Sequence, residues 1–467
     1  MASSDSPFFN ENRQRLALGF LAALSVFVLF KLCFHFPFIA DDYVYLARME
    51  RGDFALNIFG TYWARVPLWC LATWAAFASH MAYAENFAYP AVFAANALCL
   101  ITIAWELKKR LHPETPVAWT FIALTIIYAF FPNDHEVLYW PTDWAYVGGL
   151  PCLIWAWKTQ NRIGKILIYT AAFCFGEMHI MPALALELVP FLFVPAGQAD
   201  LWLLIDWRKN PASAELKLRR SLLLGTLVRW MASVGLFLGL RWGMSQAFGA
   251  YVHLTGFNPL NFPKQLEHML NHFLVLSFYK DFWPPTLLYW IGALLIVTKA
   301  RKSSGLTSRD GVNAGLFILI SGAIVFAMGY FTTRALYGAS VCINALLIVQ
   351  LDHCLQFLDR RWQRTALILI ALGFFGHTLF IFDLNNSNHA IMQEKERTLL
   401  AAMESCQEPC QVPVDSIPQG LKRGWVMHSD YAKSFAEWVK LRHSIVKQVE
   451  FTQVVGLSQK KDQKYTR

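Results

Sequence analysis

The sequence predicts an all-α polytopic membrane protein, and three observations support this fold class. Hydrophobic residues make up 56% of the 467-residue chain and charged residues only 16%, which is too apolar for a soluble globular protein. Several apolar runs are long enough to cross a bilayer, since roughly 20 helical residues span its hydrocarbon core. The basic residues form short clusters between these runs, so we interpret the net charge of +9 as membrane topology and expect no nucleic-acid partner.

About eleven apolar runs are the predicted membrane-crossing helices. They are residues 16–38, 87–107, 117–132, 144–157, 165–181, 183–204, 219–243, 284–298, 312–331, 334–350 and 365–383. Three of them, at 144–157, 165–181 and 284–298, are short for a bilayer, which fits helices that proline or glycine interrupts. The first run lacks a small-residue cleavage site before Asp41, so we expect it to remain as a transmembrane helix.

The distribution of Lys and Arg predicts the orientation. With a cytoplasmic N-terminus, about twenty of these residues lie on the inner side of the membrane, as the positive-inside rule requires. The predicted outer loops contain only Arg48, Arg51, Arg65, Lys264, Lys280 and Arg334. The apolar stretch 63–83 is expected to lie along the outer surface, because its aromatic residues suit an interfacial helix. If 63–83 crossed the membrane instead, every later loop would change sides.

Two units are predicted along the chain: a transmembrane domain at 1–383 and a small external C-terminal tail at 384–467. The run of Asn and Ser at 385–388 indicates a turn-rich joint between them. In an oxidising compartment, Cys406 and Cys410 are expected to form a local disulfide, with free thiols as the alternative. Aromatic residues further along the tail predict one or two amphipathic helices that pack on the membrane domain.

The predicted chemistry centres on two adjacent carboxylates, Asp41 and Asp42, at the point where the first helix leaves the membrane. Adjacent acids repel each other when both are ionised, and a membrane face of low dielectric constant increases that repulsion. One of the two acids is therefore expected to retain its proton unusually well. Such an environment suits a general base or a metal ligand at the start of the first external loop, 39–86.

Further polar residues on the predicted outer face complete a candidate substrate site. They are Arg65, Asp134, His135, Glu177, His179, Arg334 and Tyr337. Arg334 follows an apolar run at a tight turn, where an arginine needs an anionic partner such as a phosphate or a carboxylate. Glu177 and His179 are two residues apart and so cannot share one face of a helix. The histidines of the outer segments show no standard transition-metal spacing.

This architecture resembles the C-type glycosyltransferase superfamily, which uses polyprenyl-phosphate sugars as donors, and most of all its bacterial members that modify cell-surface glycans. The shared features are a helix that leaves the cytoplasm, Asp41-Asp42 at the start of the first external loop, a surface segment and many helices, over residues 1–383. The resemblance implies that Asp41 deprotonates an acceptor hydroxyl and that Asp42 orients it or binds a divalent cation, Mg or Mn. From charge and side alone, Arg334 and Arg65 are candidates to bind the lipid phosphate.

The predicted function is transfer of a sugar from a polyprenyl-phosphate donor to a glycan or glycolipid acceptor, with inversion, on the periplasmic face of the bacterial inner membrane. No Gly-rich nucleotide-binding loop occurs in the sequence, which is consistent with a lipid-linked donor. Two alternatives stay open. A lipid-linked sugar flippase or secondary transporter would show polar residues at mid-membrane depth and repeated helices. A glycan polymerase or ligase would use a large outer loop rich in Arg and His, which 244–283 matches only in part.

Overall fold

A computed structural model gives the architecture of most of the chain. It describes residues 88–131, 144–194, 201–205, 214–248, 259–273, 279–300, 307–327, 333–407, 410–415, 429–446 and 448–454, together with single residues within 16–27 and residues 46, 47, 51 and 68. Five predicted site residues lie outside this described part: Asp41, Asp42, Arg65, Asp134 and His135. The same holds for the stretch 63–83 except Leu68.

The described part is mainly helical. Its α-helices are α1 (Ala88–Leu111), α2 (Trp119–Tyr128), α3 (Trp144–Lys158), α4 (Arg162–Phe175), α5 (Ile180–Leu192), α6 (Leu201–Ile205), α7 (Ala214–Phe248), α8 (Phe262–Phe273), α9 (Tyr279–Ala300), α10 (Ser308–Gly322), α11 (Ile324–Ala327), α12 (Tyr337–Gln356), α13 (Arg360–Ser405) and α14 (Ser429–Arg442). Short 3₁₀ helices lie at Glu177–His179, Pro259–Asn261 and Thr333–Leu336. Two strands, β1 (Cys410–Asp415) and β2 (Val449–Val454), follow α13 and α14 respectively.

Four described helices are long and apolar enough to cross a membrane: α1, α7, α12 and α13. Two shorter apolar helices lie at Trp119–Tyr128 and Pro284–Ala300. Large apolar side chains such as Leu98, Leu224 and Ile368 are exposed on the outside of the bundle, as a lipid-facing surface requires. The predicted class of a mainly helical chain with membrane-spanning helices is supported, while the number of eleven crossings stays a prediction.

Helix α12 is the centre of the bundle. Of its apolar window, 83% is buried, against 22% for α7, which therefore lies at the periphery. It packs against α1, α2, α9 and α10. A mainly apolar helix has little polar surface to expose, so burial by its neighbours is its expected environment.

The helices place their basic termini at one end of the bundle, which we name the basic end. There Lys158 at the end of α3 contacts Glu106 of α1 at 3.1 Å, and Lys299 at the end of α9 lies over the ring of Trp362 in α13. These contacts join segments that the charge distribution assigns to one side of the membrane. These basic helix ends therefore lie together, while the side of the membrane on which they lie stays a prediction.

A buried ion pair connects three helices near the basic end. Lys108 Nζ of α1 lies 2.6 Å from Asp352 Oδ2 of α12, and the two side chains are only 4% and 0% exposed. The hydroxyl of Thr120 in α2 donates to the other carboxylate oxygen of Asp352, and the Gln356 amide donates to Oδ2. The carboxylate is thereby satisfied inside a core that would otherwise penalise its charge.

Several predicted helix boundaries are wrong within the described residues. The run 183–204 is not one helix: α5 ends at Leu192, because Pro195 disfavours helical backbone at Val194 before it. The run 165–181 is interrupted at Gly176, whose backbone is extended. The predicted loop 244–283 contains an amphipathic helix, α8.

The predicted joint at 385–388 is also wrong, because α13 continues through it. This helix has 46 residues and so a length of about 69 Å at 1.5 Å per residue, about twice the hydrocarbon thickness of a bilayer. Its start is capped by Asp359, whose carboxylate accepts from the backbone N–H groups of Arg361 and Trp362. Asn388 is fully buried, so tertiary packing outweighs the weak helix propensity of the polar run.

The C-terminal part of α13 belongs to a second hydrophobic core. It packs with α14 and with a parallel pair of strands in which Cys410 faces Val449. A parallel pair needs a crossover connection, and α14 lies within it. The tail therefore contains one amphipathic helix, α14, as predicted, and also a pair of strands that the sequence analysis did not predict. A disulfide between Cys406 and Cys410 joins the end of α13 to β1.

Candidate functional site

The 3₁₀ helix Glu177–His179 lies at the end of the bundle opposite the basic end, between α4 and α5. Helix α4 runs away from the basic end and stops at Phe175, after which Gly176 is extended and its N–H donates to the Ala172 carbonyl. The chain then reverses into α5. Two predicted substrate-binding residues, Glu177 and His179, are placed by this turn, and they contact different helices.

His179 is fully buried and connects the turn to α3. Its Nε2 lies 2.9 Å from the backbone carbonyl oxygen of Tyr146. A carbonyl can only accept, so Nε2 carries the proton and donates it, and in the neutral ring Nδ1 is left as an acceptor. Among the described residues, Nδ1 has no hydrogen-bond partner.

Two glycines on opposite sides make room for the His179 ring. A Cβ at Gly149 of α3 would lie 2.4 Å from ring atoms of His179, and a Cβ at Gly338 of α12 would lie 2.9 Å from Nδ1. Side chains larger than hydrogen are therefore excluded at both positions unless the ring moves. The ring thus fixes the spacing of α3 and α12 at this end of the bundle.

Glu177 pairs with an arginine that the sequence analysis did not select. Arg241 Nη1 of α7 lies 3.3 Å from Glu177 Oε2, and the two side chains are 12% and 18% exposed. A signal was present in the sequence, because Arg241 interrupts the apolar run 219–243, and an arginine inside such a run needs an anionic partner. Its partner could be identified only from the packing of α7 against the turn.

Tyr337 and Arg334 lie together at the start of α12. Tyr337 is fully buried, and its hydroxyl donates to Asn96 Oδ1 of α1 at 2.6 Å, so in this structure it connects two helices. Arg334 belongs to the 3₁₀ helix Thr333–Leu336 directly before α12. Its side chain lies outside what the structure describes.

One aromatic contact and one hydrogen bond locate the chain next to the predicted segment of Asp134 and His135. Phe131, three residues before Asp134, is buried, and its ring meets that of His272 edge to face at 6.0 Å. His272 belongs to α8, and its Nε2 lies 2.6 Å from the Ser340 hydroxyl of α12. Burial lowers the pKa of His272 to about 3, so this histidine is neutral at pH 7 and suits a packing role.

The chain beyond the acidic pair is attached to the same end of the molecule. Leu46 and Ala47 are both 2% exposed and belong to the second core, together with Ala145 at the start of α3. The next residue, Tyr146, packs against both cores and accepts the His179 hydrogen bond. Arg51 forms an ion pair with Glu437 of α14.

The structure therefore gathers Glu177, His179, Arg241 and Tyr337 at one end of the bundle, and it brings residues 46, 47 and 131 to their neighbourhood. No three His, Cys, Asp or Glu side chains within the described ranges come together as a metal site. Glu177 and Arg241 form a partly exposed ion pair at this end of the bundle. The buried side chains of His179 and Tyr337 connect the helices around it. Searches of protein-family models, curated proteins and solved structures find no match to this chain.

Proposed function

We propose that the chain is a membrane glycosyltransferase that moves a sugar from a polyprenyl-phosphate donor to a glycan or glycolipid acceptor of the cell envelope, with inversion. In this proposal the bacterial inner membrane holds the enzyme with its N-terminus in the cytoplasm. The reaction takes place at the end of the bundle opposite the basic end, on the periplasmic side.

The observation that carries the proposal is the acidic pair Asp41-Asp42 together with the place where the following residues are attached. Four peptide units separate Asp42 from Leu46, and even an extended chain of that length spans only about 14 Å. Leu46 packs in the core that contains Ala145, beside the residue that binds His179. The described residue nearest to the acids in the chain thus lies at the end at which the other polar groups gather, which supports the proposed site there.

The proposed reaction is a single displacement. The acceptor oxygen attacks the anomeric carbon while the bond from that carbon to the phosphate oxygen breaks, and polyprenyl phosphate leaves with the electron pair. Asp41 takes the proton of the attacking hydroxyl as general base. Attack from the side opposite to the leaving group inverts the anomeric configuration.

The negative charge on the leaving phosphate is stabilised by nearby cations, and most strongly in a site that excludes water. Arg334 at the start of α12 and Arg65 are the proposed phosphate ligands, and Asp42 is the proposed ligand of Mg or Mn. Arg241 is already neutralised by Glu177 at 3.3 Å, so we assign that pair to positioning the turn. His179 and Tyr337 are buried, and we assign them to holding the surrounding helices in position.

The proposal is tested with membranes that contain the full chain and a panel of polyprenyl-phosphate hexoses and pentoses labelled in the sugar. We expect label to appear in the envelope glycan or lipid fraction. In the double variant Asp41→Asn, Asp42→Asn the transfer rate is expected to fall about 100-fold or more, since a general base contributes at least that factor.

The matched control is Asp383→Asn, an exposed carboxylate on α13, which is expected to keep the wild-type rate. Each variant is compared at equal protein level, and its thermal midpoint is measured to separate chemistry from folding. Wild-type transfer by the double variant, or no transfer by the wild-type chain from any donor, would contradict the proposal.

A further inference from the structure

A groove of about 420 Å³ lies on the outside of the bundle between α2, α13 and the helical residues of the N-terminal segment. Its walls include Leu21 of that segment, Trp119 and Ala123 of α2, and Ala371 and Phe375 of α13. The lining is apolar except at one end, where Arg364 of α13 contributes a cation. The groove is distinct from the candidate site, which lies at the other end of the bundle.

The position of Arg364 shows which end of the groove is polar. This residue is exposed, four residues after the start of α13. Its neighbour Trp362 lies under Lys299, which places this turn of α13 at the basic end. Trp119 starts α2 next to Thr120, which binds Asp352, and tryptophan is typical of the interface between lipid and water.

The length of the groove matches one leaflet of a bilayer. Eleven residues separate Arg364 from Phe375 along α13, a distance of about 16 Å in a helix. The hydrocarbon core of a bilayer is about 30 Å thick, so the groove extends from the basic end to about the bilayer midplane. Its rim includes Phe20 and Ile368, which are 69% and 57% exposed, so it opens sideways toward lipid.

We infer that this groove binds an anionic diacyl phospholipid of the leaflet at the basic end, with one acyl chain along the apolar walls and the phosphate at Arg364. The guanidinium donates charge-assisted hydrogen bonds to phosphate, and methylene groups gain free energy when apolar walls cover them. The polyprenyl-phosphate donor is the less suitable occupant, because its phosphate would be at the far end of the molecule. This comparison with the donor rests on the proposed function, whereas the binding of a phospholipid in the groove does not.

Native mass spectrometry of the purified full chain in detergent tests the inference. The probes are palmitoyl-oleoyl phosphatidylglycerol and phosphatidylcholine with the same acyl chains. We expect phosphatidylglycerol to bind about tenfold more tightly than phosphatidylcholine, because the choline cation offsets the phosphate charge that attracts the Arg364 guanidinium. In Arg364→Gln this preference is expected to disappear.

The matched control is Arg361→Gln, because Arg361 is exposed on the same helix and does not line the groove. Equal loss of preference in both variants would overturn the inference, since it would indicate a general effect of positive charge. So would equal binding of the two phospholipids by the wild-type chain. Release of bound phosphatidylglycerol by inorganic phosphate alone would also overturn it, because the acyl chain would then contribute nothing.

The location is tested without any variant, so the result does not depend on folding of a mutant. Phosphatidylglycerol with a photoreactive group midway along one chain is cross-linked to the wild-type protein, and the adducts are mapped by peptide mass. Adducts within residues 119–123 and 367–375 are expected. Adducts confined to other helices, or displacement of the probe by an equal concentration of polyprenyl phosphate, would overturn the inference.

Discussion

At the residue scale, the close packing around the His179 ring restricts which side chains the candidate site can accommodate. Gly338→Ala would place a methyl group 2.9 Å from His179 Nδ1 and 3.0 Å from the Met178 carbonyl oxygen. Because displacing the Met178 backbone is energetically costly, we expect the free energy of unfolding to fall by about 1–3 kcal/mol. The measurement is a denaturant titration of the purified protein in detergent, followed by tryptophan fluorescence.

Gly239→Ala on α7 is the matched control, because nothing lies within 4 Å of a Cβ at that position. Alanine has the higher helix propensity, so this control is expected to be neutral or to stabilise the protein by up to about 1 kcal/mol. Equal destabilisation by both substitutions would show that the close approach of Gly338 to His179 is not the cause.

A second residue-scale prediction concerns the buried ion pair at the basic end. Lys108→Met leaves the fully buried Asp352 carboxylate without its cation, and such a loss typically costs about 3–5 kcal/mol. Adding Asp352→Asn removes the uncompensated charge and keeps an acceptor for Thr120, so we expect the double variant to recover at least half of the loss. The same denaturant titration measures both variants.

Lys109→Met is the control for this pair, because Lys109 pairs with Glu106 at 3.5 Å while its own side chain is 55% exposed. Solvent screens such a pair, so its loss is expected to cost less than about 1 kcal/mol. If the double variant were less stable than Lys108→Met alone, the charge of Asp352 would not be the source of the penalty.

At the element scale, the continuity of α13 decides how the C-terminal unit is attached. Spin labels at Leu379→Cys and Glu394→Cys, both exposed, are fifteen residues apart. A continuous helix gives a Cα separation of about 22 Å, and pulsed electron paramagnetic resonance measures it once the native thiols are replaced. A turn at 385–388 would give a shorter or much broader distance distribution.

The pair Leu224→Cys and Gly239→Cys provides the reference, because the same spacing lies on α7 and both positions are exposed. We expect the two distributions to have similar centres and widths. A clearly broader distribution for the α13 pair would contradict the straight helix through 385–388.

At the scale of the whole molecule, the two ends of the bundle define its orientation. Lys109 and Arg360 belong to the basic end, whereas Glu394 and Lys433 belong to the C-terminal unit at the other end. With cysteine at one of these positions at a time, an impermeant thiol reagent added to intact cells is expected to label 394 and 433 but neither 109 nor 360. A background without native thiols keeps the labelling specific.

Two other outcomes are informative in this experiment. Labelling of 109 and 360 alone would keep the two-ended bundle but reverse its orientation. With a cytoplasmic N-terminus, the stretch 63–83 would then have to cross the membrane. Labelling of 109 together with 394 would contradict the separation of the two ends.

Part of this architecture follows from the sequence alone. The high apolar content, the helical runs and the position of the basic clusters depend on local chemistry and on burial in lipid, and these act on each segment independently. The helix start at Asp359 and the end of α5 before Pro195 are also local effects. For that reason the general positions of α1, α3, α9 and α12 could be predicted.

Other features depend on contacts between distant segments, and only the tertiary structure decides them. The sequence contains Arg241 and Glu177, but their pairing requires α7 to pack beside the turn after α4. The His179 ring occupies the space left by Gly149 and Gly338, although 189 positions separate these two glycines along the chain. The polar run 385–388 is helical because its surroundings bury Asn388, a non-local contribution that exceeds its own weak helix propensity.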